Sequence, residues 1–202
     1  MSVLREIAAV REQVGWWTRT DHTILQVTGD DAGGWLHNQT TNDVLGLRSG
    51  QGNRQCLLDR KGRVQTTFTV HRFEDEFWLL MEKAQREAFF QRLDTHLFLE
   101  LVYVNDVGAD TPQFVVEGPR SIALLAALSD APPEVTAAQL PRAPYAFTPM
   151  VLAGIETLVF QHSESGETGF LLVPGEAEAD ALAAALAEAG HDFLLTQVSE
   201  SA

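Results

Sequence analysis

One short segment of this chain gathers most of the side chains suited to holding a polar ligand. From residue 63 to residue 72 it reads R-V-Q-T-T-F-T-V-H-R. Alternate residues of a strand share a face. Gln65, Thr67, Thr69 and His71 then form one polar row, with Val64, Thr66, Phe68 and Val70 on the other side. Hydroxyls, an amide and an imidazole can both donate and accept hydrogen bonds. Such a row either lines a pocket or simply faces solvent. Around it lie Arg54, Arg60, Lys61, Arg63 and Arg72, five of the fourteen basic residues, in a chain of net charge −14. A basic patch on an acidic protein suits a small polyanion, while the plainer reading is a solvated hairpin.

Other chemistries find little support. The six histidines (His22, His37, His71, His96, His162, His191) show no metal-ligand spacing, and no metal is expected. Cys56 is the single cysteine, which excludes an intramolecular disulfide and a multi-cysteine zinc or iron–sulfur site within these residues. In Q-C-L-L it reads as a small core residue. G-x-S-x-G, H-E-x-x-H and G-x-x-x-x-G-K-[ST] are all missing. The glycine-rich G-L-R-S-G-Q-G (46–52) follows no strand-to-helix pattern and reads as a hairpin loop. The strong negative charge disfavours nucleic acid and anionic membranes as partners. No apolar run approaches the ~18 residues of a membrane helix, and charges arise too early for a signal peptide. The expectation is a cytoplasmic protein.

The polar row needs elements to hold it. Apolar spacing predicts a helix over 5–14, and T-I-L-Q-V-T-G (23–29) a strand, with Asp30 or Asp31 capping the next helix. Strands are expected at 54–59, 63–73 and 77–82, a helix over 83–97 and a strand at 99–104. In the second half, strands are expected at 112–118, 146–152, 155–161 and 169–173. A helix should start with Pro119 at its first position. Four prolines make 131–145 a loop or linker. A final helix should stop at Gly190. Residues 54–104 and 146–198 show a similar order of elements, through either a diverged duplication or the common grammar of such folds.

Several motifs in order carry a resemblance. V-T-G-D-D-A with W-L (27–36), T-N-D-V (41–44), L-L-D-R-K-G-R (57–63), E-G-P-R (117–120) and G-E-T-G-F (166–170) resemble the glycine-cleavage T-protein (aminomethyltransferase) superfamily and its YgfZ-type branch. The resemblance implies an α+β fold of antiparallel sheets with packed helices, similar to the aminomethyltransferase folate-binding fold without its C-terminal barrel. It divides the chain into an N-terminal folate-binding-type domain (1–110) and a second α+β domain (111–202). It implies tetrahydrofolate or a derivative as cofactor, with the basic cluster suiting a folate polyglutamate tail. The folate-contacting positions would be Gln65, Thr67, Thr69, His71, Glu82 and Arg63. Glu82 also reads as a cap for the helix beginning near Lys83. Asn42 and Asp43 read as turn-makers.

Departures from the family pattern are equally informative. Aminomethyltransferases carry a paired D-D after the hairpin glycine, where this chain has Thr66 and Thr67. Threonine holds no negative charge near neutral pH. An acidic residue that grips the pterin in the family aligns with Leu171, leaving Glu167 of that pair. The later L-R-x-E-x-G and K-G-C-Y-x-G-Q-E motifs of the YgfZ-type branch do not occur in these 202 residues. The expectation is therefore a folate-binding protein of the YgfZ type supporting iron–sulfur enzyme maturation or repair. It would bind reduced folate, have iron–sulfur proteins as clients and contribute no catalytic residue. Alternatives are a tetrahydrofolate-dependent one-carbon transferase and a degenerate interaction module without ligand.

Overall fold

The computed structural model describes residues 3–108, 111–193 and 196–198. Two compact units emerge. One holds residues 21–110 and 144–146. The other holds residues 1–20, 111–143 and 147–202, so the first twenty residues belong with the later half of the chain.

The polar row lies in the first of these units. It is built from β2 (His22–Thr28), α2 (Ala32–Gln39), β3 (Gln51–Leu58), β4 (Val64–Arg72), β5 (Phe77–Glu82), a 3₁₀ turn (Lys83–Gln85), α3 (Arg86–His96) and β6 (Tyr103–Asp106). The sheet order is β3-β4-β5-β2-β6 and every pairing is antiparallel. Its core gathers Leu25, Val27, Trp35, Leu57, Phe68, Val70, Leu79 and Phe89. Phe89 meets Phe68 edge-on at 5.6 Å and Trp35 at 6.1 Å, the favoured geometry for aromatic quadrupoles.

The other unit contains α1 (Val3–Glu12), β1 (Gly15–Thr18), β7 (Phe114–Glu117), α4 (Ser121–Ala127), α5 (Pro133–Gln139), β8 (Phe147–Leu152), β9 (Ile155–Gln161), β10 (Gly169–Pro174), α6 (Ala179–Phe193) and β11 (Thr196–Gln197). Its strands run in the order β11-β1-β7-β10-β9-β8, with β1 and β11 parallel. Both units share a strand, helical segment, three-stranded meander, helix and strand, the helical segment being α2 in the first and α4 plus α5 in the second. The last strand of the meander pairs with the strand that precedes the helical segment, β5 with β2 and β10 with β7. In the second unit, β1 is inserted between β7 and β11.

Several local expectations are corrected. Residues 133–139 form α5 where four prolines predicted a loop. Pro133 occupies an early helical position, where its missing N–H costs nothing. Gly190 does not stop α6, which continues to Phe193. Gly190 is buried in register with Leu182 and Leu186, so this glycine lies on the packed stripe of the helix. The strand expected at 99–104 lies instead at 103–106. Residues 98–101 form a loop that leaves Phe98, Leu99 and Leu101 exposed. Asp31 precedes α2 without a side-chain cap; its Oδ2 accepts from the Leu101 amide at 2.8 Å.

Candidate functional site

The polar row of β4 is partly reshaped by a bulge. Leu57 pairs with Thr66 but Leu58 pairs with Val64, so Gln65 has no partner across the ladder. An extra residue resets alternation. Val64 is 57% exposed, whereas Thr66, Phe68 and Val70 are buried. Strict period 2 therefore holds from Thr66 onward. Thr67, Thr69 and His71 share the face opposite the core, and exposed Gln65 falls at the bulge outside that regular row.

Cross-strand register supplies the neighbours. Thr67 stands opposite Cys56, Thr69 opposite Arg54 and Leu80, and His71 opposite Gly52 and Trp78. Cys56 is half-buried across from Thr67, on the face opposite buried Leu57. It is not the core residue that Q-C-L-L implied. Glu82 ends β5, is exposed, and precedes the 3₁₀ turn without a side-chain capping bond. Arg63 lies in the β3–β4 turn, where its amide donates to Asp59 Oδ1 at 2.9 Å. Thr67, Thr69 and His71 are thus brought together, while Gln65, Arg63 and Glu82 flank them.

His71 is only 2% exposed and bonded at both ring nitrogens. Nε2 lies 2.9 Å from Thr69 Oγ1, and Nδ1 lies 3.1 Å from the Tyr145 carbonyl oxygen. Gly52 makes the necessary space. A Cβ there would lie 2.6 Å from Tyr145 O and 2.7 Å from His71 Nδ1. Tyr145 holds φ at 62°, the left-handed region that costs a non-glycine residue on the order of 1 kcal/mol. Sequence reasoning missed both Gly52 and Tyr145, because their roles depend on chain segments far apart in sequence.

The two threonines at the acidic-pair positions differ in environment. Thr66 is buried, and its hydroxyl donates to Gln85 Oε1 at 2.6 Å. Half-buried Thr67 donates its backbone N–H to the same oxygen at 2.8 Å. One glutamine side chain therefore ties the 3₁₀ turn to β4.

The basic cluster also divides. The Arg72 guanidinium sits 4.6 Å from the centre of the Phe77 ring, and its Nε donates to Phe73 O at 3.0 Å. Arg60, Lys61 and Arg63 belong to the hairpin turn and are exposed. Arg54 is exposed beside Thr69. No ion pair involves its side chain among the described residues.

Asn42 and Asp43 act within their turn. Asp43 N donates to Asn42 Oδ1 at 2.8 Å, and Gly46 N to Asp43 Oδ1 at 3.0 Å. Buried Gln55 braces this turn, accepting from Asn42 N at 2.7 Å and donating to Asn42 O at 3.2 Å.

In the second unit, Glu117 of the E-G-P-R motif is fully buried. Its Oε1 accepts from Ser163 Oγ, Ser165 Oγ and Ser165 N at 2.7–2.9 Å, and its carboxylate also takes Glu164 N. It fixes the loop that leads into G-E-T-G-F. Within that motif, Glu167 pairs with Arg11 at 2.8 Å, while Leu171 is completely buried. A shallow open depression of about 450 Å³ in this unit carries Asp130 and Glu156 and no cation, which suits an anionic ligand poorly.

The chain's whole length, residues 1–202, matches the family described as the GCVT N-terminal domain. The chain belongs to this family. An aminomethyltransferase from Chloroherpeton thalassium is 30% identical over 197 residues, covering 97% of this chain and 53% of that protein. Another, from Exiguobacterium sibiricum, is 30% identical over 190 residues, covering 93% and 51%. This member of the GCVT N-terminal domain family thus spans about half the length of these curated relatives. Among solved structures, glycine cleavage system aminomethyltransferase T from Bartonella henselae superposes with a TM-score of 0.78 at 21% identity, covering 98% of this chain and 51% of that one. A heterotetrameric sarcosine oxidase chain from Corynebacterium sp. U-96 gives 0.64 at 22%, covering 96% and 93%. The α+β architecture of antiparallel sheets with packed helices is therefore the N-terminal fold of the aminomethyltransferases. Among the described residues, no group of histidine, cysteine, aspartate or glutamate is placed to hold a metal ion, and no helix is long and apolar enough to cross a membrane.

Proposed function

We propose that this chain binds a reduced folate and acts as the folate-holding half of a tetrahydrofolate-dependent one-carbon transferase. Relatives named aminomethyltransferase, at 30% identity across nearly the whole chain, support this over the iron–sulfur reading. The structural observation that carries it is the row Thr67, Thr69 and His71 beside exposed Arg54. The half-buried hydroxyls of Thr67 and Thr69 suit a pteridine or its linker and Arg54 a carboxylate tail, while His71 is committed to Thr69 and Tyr145. Gln65, Glu82 and Arg63 are retained as flanking contacts.

A bound tetrahydrofolate would supply the nucleophilic nitrogen that accepts the one-carbon unit. The chain's own part would be to bind and orient it. Thr66 and Thr67 provide no carboxylate to polarise a reacting amine, and Thr66 is committed to Gln85. Aminomethyl transfer in particular is therefore expected to be absent. A YgfZ-type role in iron–sulfur enzyme maturation is the second reading, favoured by those same two threonines.

Calorimetric titration with tetrahydrofolate tests the ligand. Ammonia release from an aminomethylated carrier protein tests the chemistry. Saturable binding without ammonia release is the expected result. Lack of binding would overturn the proposal, and turnover would restore the aminomethyltransferase activity.

A further inference from the structure

The edge strand of a sheet offers backbone groups to any extended chain that reaches it, and proteins commonly block such edges. Two edges here are blocked by named residues. Along β3, Asn42 Nδ2 donates to Arg54 O at 3.4 Å and Cys56 N donates to Thr41 Oγ1 at 3.0 Å, so the turn before the strand occupies its outward backbone. The β8 edge carries exposed Pro149, which has no N–H to offer.

The β6 edge carries neither device. Val107 N donates to Ile24 O at 3.0 Å. Alternation in an antiparallel ladder then turns the backbone groups of Val104 and Asp106 away from β2. Among the described residues no backbone group bonds to them from that side. Beside this edge Phe98, Leu99, Leu101 and Tyr103 are each more than half exposed. Single exposed apolar side chains are ordinary, but a run of large ones forms a patch. The loop that presents them is pinned. Glu100 Oε2 accepts from Phe98 N and Leu99 N, Asp31 Oδ2 accepts from Leu101 N, and Asp31 N donates to Leu101 O at 3.3 Å. A patch fixed in this way lowers the ordering cost of binding.

The two sides of the edge differ in character. Tyr103 pairs with Thr28, on the face opposite buried Leu25 and Val27. Helix α2 packs on the Leu25 and Val27 face through Ala32, Trp35 and Leu36, and Asp30 and Asp31 stand exposed at its start. Glu100 is exposed too, and no cation among the described residues forms an ion pair with any of these three carboxylates. A strand with apolar residues on one face and basic residues on the other complements both sides. A second copy of this chain would instead bring the same carboxylates and a net charge of −14 to the contact, which is repulsive.

We propose that the β6 edge and the 98–101 loop form a docking surface for an extended segment of a partner protein. The segment adds as a further strand, with apolar residues over Tyr103 and lysine or arginine toward Asp30 and Asp31. Backbone pairing gives such a contact its affinity and alternate side chains give it specificity.

The test uses the full chain and an end-blocked synthetic peptide of alternating lysine and valine. Chemical-shift titration should place its contacts at residues 98–106. A glutamate-for-lysine version should not bind. Two further peptides are N-methylated, one at the valines and one at the lysines. Because a single edge of the added strand faces β6, one of these should lose about tenfold in affinity, the worth of one or two hydrogen bonds. Leu99→Ser combined with Tyr103→Ser should weaken the parent peptide by a similar factor. Asp30→Asn combined with Asp31→Asn should reduce the salt dependence of binding.

Failure of the parent peptide to bind would overturn the proposal. So would shifts centred on β3 or β8, binding of the glutamate peptide, or undiminished binding of both N-methylated peptides. Self-association of the chain alone, with shifts at 98–106, would overturn the partner segment in favour of a second copy.

Discussion

Gly52 stands directly opposite His71 in the β3–β4 ladder, and the side chain it lacks is the space that the imidazole and the Tyr145 carbonyl occupy. Gly52→Ala should force these groups apart, because two of the contacts at 2.6 Å are to backbone oxygens that cannot swing aside. Overpacking of this kind costs about 1–3 kcal/mol. Urea denaturation should register that loss. The His71 ring resonances should shift in the same variant. An unchanged midpoint and unchanged resonances would show that the 144–146 segment moves freely.

Glu117 should be a strong determinant of stability in the second unit. Its buried carboxylate accepts from Ser163, Glu164 and Ser165. Glu117→Ala would strand several donors at once, and hydrogen bonds to a charged group are worth about 1.5–3 kcal/mol each in net terms. A loss on the order of 3 kcal/mol is expected from denaturation. Amide exchange at 163–166 should accelerate, with Glu117→Gln falling between the two proteins.

Restoring the acidic pair should be asymmetric. Thr67→Asp places a carboxylate at a half-buried position on the face opposite the core and should fold normally. Thr66→Asp places it at a site 2% exposed, against Gln85 Oε1, an acceptor that cannot satisfy an ionised partner. Burial of an uncompensated charge costs about 3–5 kcal/mol. Thermal unfolding of the two variants checks this. Equal stability would mean that the Gln85 amide turns over to offer its Nε2 as a donor.

The loop before β6 should loosen in acid. The backbone N–H of Phe98, then that of Glu100 itself, then that of Leu99 hold the Glu100 carboxyl below its ordinary value of 4.5; Oε2 lies 2.9 Å from Phe98 N and 3.1 Å from Leu99 N. A carboxyl whose folded value is depressed contributes stability above its ordinary value, and that contribution disappears as pH falls through the lowered one. Amide exchange at Phe98 and Leu99, corrected for intrinsic rates, should therefore speed up as pH falls from the ordinary value through the lowered one. Glu100→Gln should show the faster exchange at every pH. Leu99 is 93% exposed, so no core packing masks the effect.

Local pattern was enough to read most of the strands, the turn role of Asn42 and Asp43, and the common face of Thr67, Thr69 and His71, while the α+β class followed from the family resemblance. The strands, the turn and the shared face are local properties. Period-2 alternation, β-branched residues and side-chain-to-backbone bonds act within a few residues. That Gln65 drops out at a bulge is visible only in the folded sheet, because a bulge is defined by the partner strand. The same holds for residues 1–20 joining the later unit and for Gly190 lying inside a helix, since both follow from what packs against them. The anchoring of His71 is likewise non-local. Its Nδ1 lies against the carbonyl of Tyr145, 74 residues along the chain from that histidine, and a hydrogen bond across such a separation leaves no periodic signal in the sequence.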